Sequence, residues 1–187
     1  MTRALLLIDI QEGMDSPEWG SRNNLDAEHN ASRLLSHFRQ THADVCHVRH
    51  LSTNPDSPLH PSRAGTSIKA EVAPMQQEPV FHKHTNSAFI GTALEEYLKQ
   101  QRITGLVIAG LSTPQCISTS VRMAANLGFD VWLAHDACAA FAHHAIFDWA
   151  PNIPTLTAED IHNAEVSMLH GEFCRARSTQ AIIRAMT

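Results

Sequence analysis

The chain of 187 residues lacks the features that mark several functional classes. Its 14 lysines and arginines are scattered, and a net charge of −5 opposes the clustered basic face that a nucleic-acid partner needs. The apolar run at residues 4–8 is too short for a signal-peptide core, and no later segment approaches the length of a membrane span. These absences predict a cytoplasmic protein with no nucleic-acid partner and no membrane partner.

Two sequence motifs are also missing. The four cysteines, at positions 46, 116, 138 and 174, form no C-x-x-C pair, so we expect reduced thiols rather than a disulfide framework. The turn after the first apolar run reads DIQEGM at 9–14, without the G-x-G-x-x-G of a dinucleotide-binding module. The sequence therefore argues against a nicotinamide or flavin enzyme of that type.

Apolar strand-like segments alternate with helical ones along the chain. This pattern predicts a single α/β domain over residues 1–187, with a six-stranded, mainly parallel sheet between two helical layers. Asp26 is placed to cap the first helix, and Asp136 to fix the loop after the fifth strand. The predicted strands are 4–9, 43–49, 79–83, 104–110, 130–135 and 173–177; the predicted helices are 26–41, 91–101, 113–127, 157–170 and a C-terminal one.

In parallel sheets of this kind, ligands bind beyond the carboxyl ends of the strands. The most informative strand end reads GLSTPQC at 110–116, where Thr113 suits an N-cap and Pro114 the first helical position. Cys116 then falls in the first helical turn, whose amides and dipole favour a thiolate, lower its pKa and bind an oxyanion. The alternative is a small buried cysteine without chemistry.

Two further strand ends carry charged residues. Asp9 follows four consecutive aliphatic residues, and a carboxylate there could cap a helix, bind a metal or act as a general base. Lys83 ends the predicted third strand, where a solvated surface lysine is the plain alternative. Together with Cys116, the two residues supply an acid–base group, a cation and a nucleophile at one edge of the sheet.

Three segments carry a resemblance that covers most of the chain. ALLLIDIQ at 4–11, KHTNSAFIGTALEEYL at 83–98 and IAGLSTPQCISTSVRMAANLGFDVWLAHDACAAF at 108–141 resemble the isochorismatase-like cysteine hydrolases. His162 and the segment LHGEF at 169–173 resemble the C-terminal part of that family. The resemblance implies a Rossmann-like three-layer α/β/α sandwich with strand order 3-2-1-4-5-6.

The resemblance also implies a catalytic triad of Asp9, Lys83 and Cys116. It implies a cis peptide between Leu111 and Ser112, and an oxyanion hole formed by the backbone N–H groups of Ser112 and Cys116. The expected activity is cleavage of a C–N bond in a small amide or ureide through a Cys116 thioester, without a cofactor. Homo-oligomers are common in this family, so we expect a dimer or larger assembly.

Nicotinamidases of the same superfamily hold a metal through an Asp-x-His element after the second strand. Here that region reads CHVRHLS at 46–52, and the pairs His47 with His50 and His82 with His84 lack a third ligand. The sequence therefore predicts no metal site.

Three other functions stay open as alternatives. The first is a vinyl-ether hydrolase of the isochorismatase type, which needs an acid more than a thiol. The second is a catalytically silent family member that acts as a binding or assembly protein. The third, a serine hydrolase using Ser112, is disfavoured because the segment 110–114 lacks the second glycine of G-x-S-x-G.

Several residues near the predicted triad could line a substrate pocket. Trp19 and the long loop 51–67 could cover it. The candidates for substrate contact are Gln11, Met14, His84, Phe89 and Gln115.

Overall fold

Six parallel strands form one sheet in the computed structural model, which describes residues 2–150 and 152–186. Their order is β3-β2-β1-β4-β5-β6, and every neighbouring pair is parallel, so the predicted sheet and strand order are confirmed. The strands are β1 (Arg3–Ile8), β2 (Val45–His50), β3 (Val80–Lys83), β4 (Gly105–Leu111), β5 (Asp130–Ala139) and β6 (Arg175–Arg177).

Helices cover both faces of this sheet because successive side chains of a strand point to opposite faces. Leu5 and Leu7 of β1 pack in one apolar cluster with Leu34, whereas Leu6 and Ile8 pack in a second cluster with Val121. None of the described helices is long and apolar enough to cross a membrane. The helices are α1 (Ala27–Gln40), α2 (Leu94–Gln100), α3 (Ser118–Asn126), α4 (Ala158–Leu169) and α5 (Thr179–Met186).

Two local expectations are corrected by the structure. Asp26 occupies the N-cap position of α1 but makes no side-chain capping hydrogen bond. Asp136 lies within β5, which continues to Ala139, and its Oδ1 accepts hydrogen bonds from the N–H and Oγ1 of Thr179 at 2.7 and 2.8 Å. Asp136 therefore ties the start of α5 to the sheet rather than fixing the loop after the strand.

Gly110 allows the close approach of two central strands. Its φ is +138°, a region that side-chain-bearing residues rarely adopt, and a Cβ at this position would lie 1.9 Å from the carbonyl oxygen of Ile8. The pairing of β4 with β5 shifts register at the same place, between Ile108 and Gly110. The backbone at Gly110 thus sets the path into the segment 112–117 that follows β4.

Replacing Gly110 with alanine should therefore destabilise the protein strongly, because a backbone atom of the central strand would have to move. We expect Gly110→Ala to lose more than about 3 kcal/mol of unfolding free energy in a urea titration. Gly128→Ala is the matched control: its φ is +91°, but no atom lies within 4 Å of the added Cβ. The control should lose only about 1 kcal/mol, and equal losses in both variants would contradict the steric argument.

Candidate active site

Four adjacent strands each deliver one side chain to the same edge of the sheet. Lys83 ends β3, His50 ends β2, Asp9 follows β1, and Cys116 lies just after β4. In the sheet these strands lie side by side in the order β3-β2-β1-β4. The chain reverses the direction of strand addition between β1 and β4, which is where ligands bind in open α/β sheets.

Lys83 is the centre of this group. Its side chain is completely buried, with Nζ 2.6 Å from Asp9 Oδ2 and 3.2 Å from Cys116 Sγ. The same ammonium lies 3.1 Å from His50 Nδ1 and donates a hydrogen bond to the carbonyl of Thr85 at 3.1 Å. The structure therefore brings the three residues of the predicted triad into direct contact.

Burial controls the ionisation of the three groups. Burial raises the pKa of Asp9, although the Lys83 ammonium opposes that shift. Burial alone would lower the pKa of Lys83, but Asp9 and Cys116 outweigh it and hold the pKa above its usual value. Burial, reinforced by the Asp9 carboxylate, raises the pKa of Cys116 far above its ordinary range.

The expected lowering of the Cys116 pKa is therefore wrong for the resting site. A helix terminus favours a thiolate by a modest electrostatic interaction, whereas desolvation beside a carboxylate opposes it more strongly. Cys116 is therefore a neutral thiol in this structure, with an oxygen of Asp9 within 4.8 Å of its sulfur. A neutral thiol can act as a nucleophile only if it loses its proton, and the nearby Asp9 could accept that proton.

The backbone around Cys116 follows the prediction in part. The segment Thr113–Ile117 is a π-type turn that continues into α3, with the N–H of Ile117 donating to the carbonyl of Ser112 at 3.2 Å. Ser112, not Thr113, is the N-cap residue; the Thr113 hydroxyl is instead hydrogen-bonded to His162 Nδ1 at 2.9 Å. The peptide between Leu111 and Ser112 is cis, as the resemblance implied.

A cavity of about 100 Å³ opens onto the Cys116 thiol. Trp19 forms one wall, and its indole N–H donates to the carbonyl of Gly13 at 2.8 Å, which fixes the ring. Apart from Asp9 the lining is uncharged: the apolar members are Met14, Trp19, Leu59 and Leu111, and the polar ones are His50, Ser57, Asn86, Ser112, Gln115, Cys116 and His144.

Of the five predicted substrate-contact residues, Met14 and Gln115 line this cavity, and the other three do not. The Gln11 side chain is fully buried and hydrogen-bonds both the N–H and the carbonyl of His50. His84 is exposed and contacts the carbonyl of Leu51, while Phe89 stacks on Phe129 in the core. Closeness in sequence to a strand end did not place these side chains on the cavity side.

Much of the cavity lining comes from loops, only some of which the sequence indicated. Trp19 and two residues of the predicted covering loop, Ser57 and Leu59, do line the cavity. Asn86 and His144 were missed, although Asn86 lies only three residues after Lys83 and its Oδ1 is 3.8 Å from Cys116 Sγ. His144 comes from the segment after β5, which carries no periodic pattern.

The same site contains a possible set of metal ligands. One ligand atom each of Asp9, His50 and Cys116 lies within 4.8 Å of the others. However, Lys83 Nζ is 2.6 to 3.2 Å from all three groups, so a protein cation already stands between them. Among the histidines considered for a metal, His47 is hydrogen-bonded to Glu78 at 2.9 Å. The donor set therefore fits an ammonium better than a metal ion.

The amino-acid sequence and the fold were compared with those of known proteins. The model of the isochorismatase domain matches residues 3–160. The isochorismatase family protein YrdC of Bacillus subtilis is 42% identical over 181 residues, which are 97% of this chain and 94% of that protein.

A crystal structure of a hydrolase of the isochorismatase family from Chromobacterium violaceum has 40% identity and a TM-score of 0.92. The match covers 99% of this chain and 93% of that one. A streptothricin hydrolase of Streptomyces noursei is 29% identical over 140 residues, which are 74% of this chain and 55% of that protein.

Removing the Asp9 charge should make the Cys116 thiol more acidic, because Lys83 would then be the dominant charge beside it. At pH 7 we expect Asp9→Asn to be alkylated by iodoacetamide faster than the native protein, which itself should react more slowly than free cysteine. Peptide mass spectrometry of time points measures the rate at Cys116, and the buried Cys46, Cys138 and Cys174 serve as internal references. A slower reaction in Asp9→Asn would contradict the assigned charges.

Proposed function

Because the chain belongs to the isochorismatase family of hydrolases, we propose that it is a cysteine hydrolase that cleaves a C–N bond in a small, uncharged amide or ureide. The observation that carries this proposal is the contact of one buried ammonium, Lys83, with both Asp9 and Cys116 beside a cavity. A nucleophile, a proton acceptor and a fixed cation are the parts that acyl transfer through a thioester needs.

In the first half-reaction Asp9 accepts the thiol proton while Cys116 Sγ bonds to the substrate carbonyl carbon. The carbonyl oxygen becomes an oxyanion, for which the N–H groups of Ser112 and Cys116 at the start of the turn are the proposed donors. Lys83 keeps its proton and stabilises the negative charge as it moves between carboxylate and sulfur.

The protonated Asp9 then gives its proton to the leaving nitrogen, and the C–N bond breaks to leave a thioester, which completes the first half-reaction. In the second half-reaction a water molecule loses a proton to Asp9 and attacks the thioester carbonyl carbon. The C–S bond breaks, the product carboxylic acid departs, and the proton returns to the Cys116 sulfur. Asp9 thus serves as base and acid in turn, which its raised pKa favours.

The cavity lining favours this chemistry over the vinyl-ether alternative. Among the described residues that line it there is no arginine or lysine, whereas isochorismate is a dicarboxylate that would need cationic partners. The similarity to a streptothricin hydrolase supports hydrolysis of a small molecule. Cytoplasmic location and a homo-oligomeric state stay predictions.

Replacing the nucleophile should abolish turnover on any amide or ureide that the native protein hydrolyses. We expect Cys116→Ala to lower kcat/KM by about 10⁴-fold or more and Asp9→Asn by about 10³-fold, measured as release of ammonia or amine. Cys174→Ala is the control, because that cysteine is buried away from the cavity. Intact mass of the native protein during turnover should show an acyl adduct on Cys116.

Two results would contradict the proposal. Retained hydrolysis by Cys116→Ala would exclude the thioester. Absence of both turnover and adduct across a panel of small amides, ureides and imides would favour the alternative of a silent binding protein. The Asp9→Asn variant adds a distinctive signature, since its thiol should be more reactive towards iodoacetamide while its hydrolysis is lost.

A further inference from the structure

His144 lies at the cavity but belongs to no part of the proposed triad. It ends the short helical turn Ala142–His144 and lines the same cavity of about 100 Å³ as Cys116. Its Nδ1 is hydrogen-bonded to the hydroxyl of Ser112 at 2.7 Å. One side of the ring is therefore tethered to the residue whose backbone N–H is a proposed oxyanion donor.

The second ring nitrogen is unpaired within the described part of the chain. His144 Nε2 is buried and makes no hydrogen bond to any part of the chain that the structure describes. The two aromatic neighbours cannot supply one: Phe141, 5.2 Å away between ring centres, has no polar side-chain atom, and the N–H of Trp19 is already bonded to Gly13. Buried polar atoms are nearly always paired, and His144 lines the cavity, so we take the cavity as the side from which a partner for Nε2 would come.

The ring is both fixed and uncharged. Trp19 packs edge-on against it with ring centres 5.4 Å apart, and the Ser112 bond sets its orientation. Burial, reinforced by the neighbouring His143, lowers the pKa of His144 to about 4, so the imidazole is neutral at pH 7. A neutral imidazole offers one donor and one acceptor nitrogen, and which is which depends on its partners.

We propose that His144 is a specificity-determining residue whose Nε2 forms a hydrogen bond with a carboxamide group of a compact, uncharged substrate held beside Cys116. A carboxamide both donates and accepts hydrogen bonds, so it satisfies Nε2 in either tautomer of the ring. A carboxylate would need a cationic partner, and the described residues lining the cavity include no lysine or arginine. The inference rests on the proposed function, because it assumes that the carbonyl of the bound molecule faces the thiol.

Alkylation of Cys116 by two electrophiles of matched shape tests this inference without requiring turnover. Iodoacetamide and allyl iodide present the same iodomethyl carbon next to a carboxamide or a vinyl group. The ratio of their rate constants at Cys116, measured by peptide mass spectrometry at one fixed pH, reports recognition of the carboxamide. Iodoacetate, which replaces the carboxamide with a carboxylate, reports the penalty for charge.

Three variants separate recognition from structure. His144→Asn keeps an amide near the Nδ1 position, where it can still bond to Ser112, but lacks any atom at Nε2. His144→Gln carries its amide to the Nε2 position. His143→Asn is the matched control, because His143 is the exposed neighbour whose Nδ1 contacts the carbonyl of Glu18, and it does not line the cavity.

We expect the ratio of iodoacetamide to allyl iodide rates to fall about fivefold in His144→Asn, the typical effect of one neutral hydrogen bond. The ratio should recover in His144→Gln and stay unchanged in His143→Asn, and iodoacetate should be the slowest reagent on the native protein relative to its reaction with free cysteine.

An unchanged ratio in His144→Asn would overturn the inference. So would an equal slowing with both reagents in the Asn and Gln variants, since that result would indicate a purely structural role. Hydrolysis retained by Cys116→Ala would instead overturn the proposed function and leave the alkylation ratios as a valid test of the cavity, so the two failures are distinguishable.

Discussion

The buried Lys83 ammonium is the interaction on which the site depends. Moving a charged amine into a protein interior costs several kcal/mol or more, and here the Asp9 carboxylate 2.6 Å away offsets that cost. The same nitrogen also donates a hydrogen bond to the carbonyl of Thr85 and lies within hydrogen-bond distance of His50 Nδ1. Removing either charge would leave the other buried and unpaired, so a substitution of Asp9 or of Lys83 alone should be more costly than the loss of one ordinary contact.

The sheet topology makes this unit possible. Strands β3, β2, β1 and β4 lie side by side, and each brings its contribution to the carboxyl edge, so no long loop has to position the charges. Gly110 permits the close approach of β4 to β1 immediately before the chain turns towards Cys116. Loops supply the cavity walls instead, which separates a rigid reactive centre from a variable lining.

This separation explains how far the sequence could be used for prediction. Asp9, Lys83 and Cys116 each end or follow a predicted strand, so the parallel sheet that the sequence predicts already places them near one another. Trp19 was expected at the pocket from its position soon after the first strand, whereas the wall formed by His144 depends on a chain path that has no periodicity. The predicted lowering of the Cys116 pKa was wrong because the sequence shows the helix terminus that lowers it but not the burial that raises it. Burial is a tertiary effect, whereas a helix terminus can be recognised locally.

The position of Lys83 also bears on the choice between metal and thiol chemistry. Asp9, His50 and Cys116 are a plausible ligand set by residue type, yet the ammonium contacts all three and provides the positive charge that a metal would bring. A divalent ion among these atoms would stand within a few ångströms of that ammonium, and like charges at such distances repel strongly in a buried site. An ammonium donates hydrogen bonds and does not polarise a bound water as a metal does, so in the proposed mechanism the activation of the thiol and of the hydrolytic water falls to the carboxylate that Lys83 contacts, Asp9.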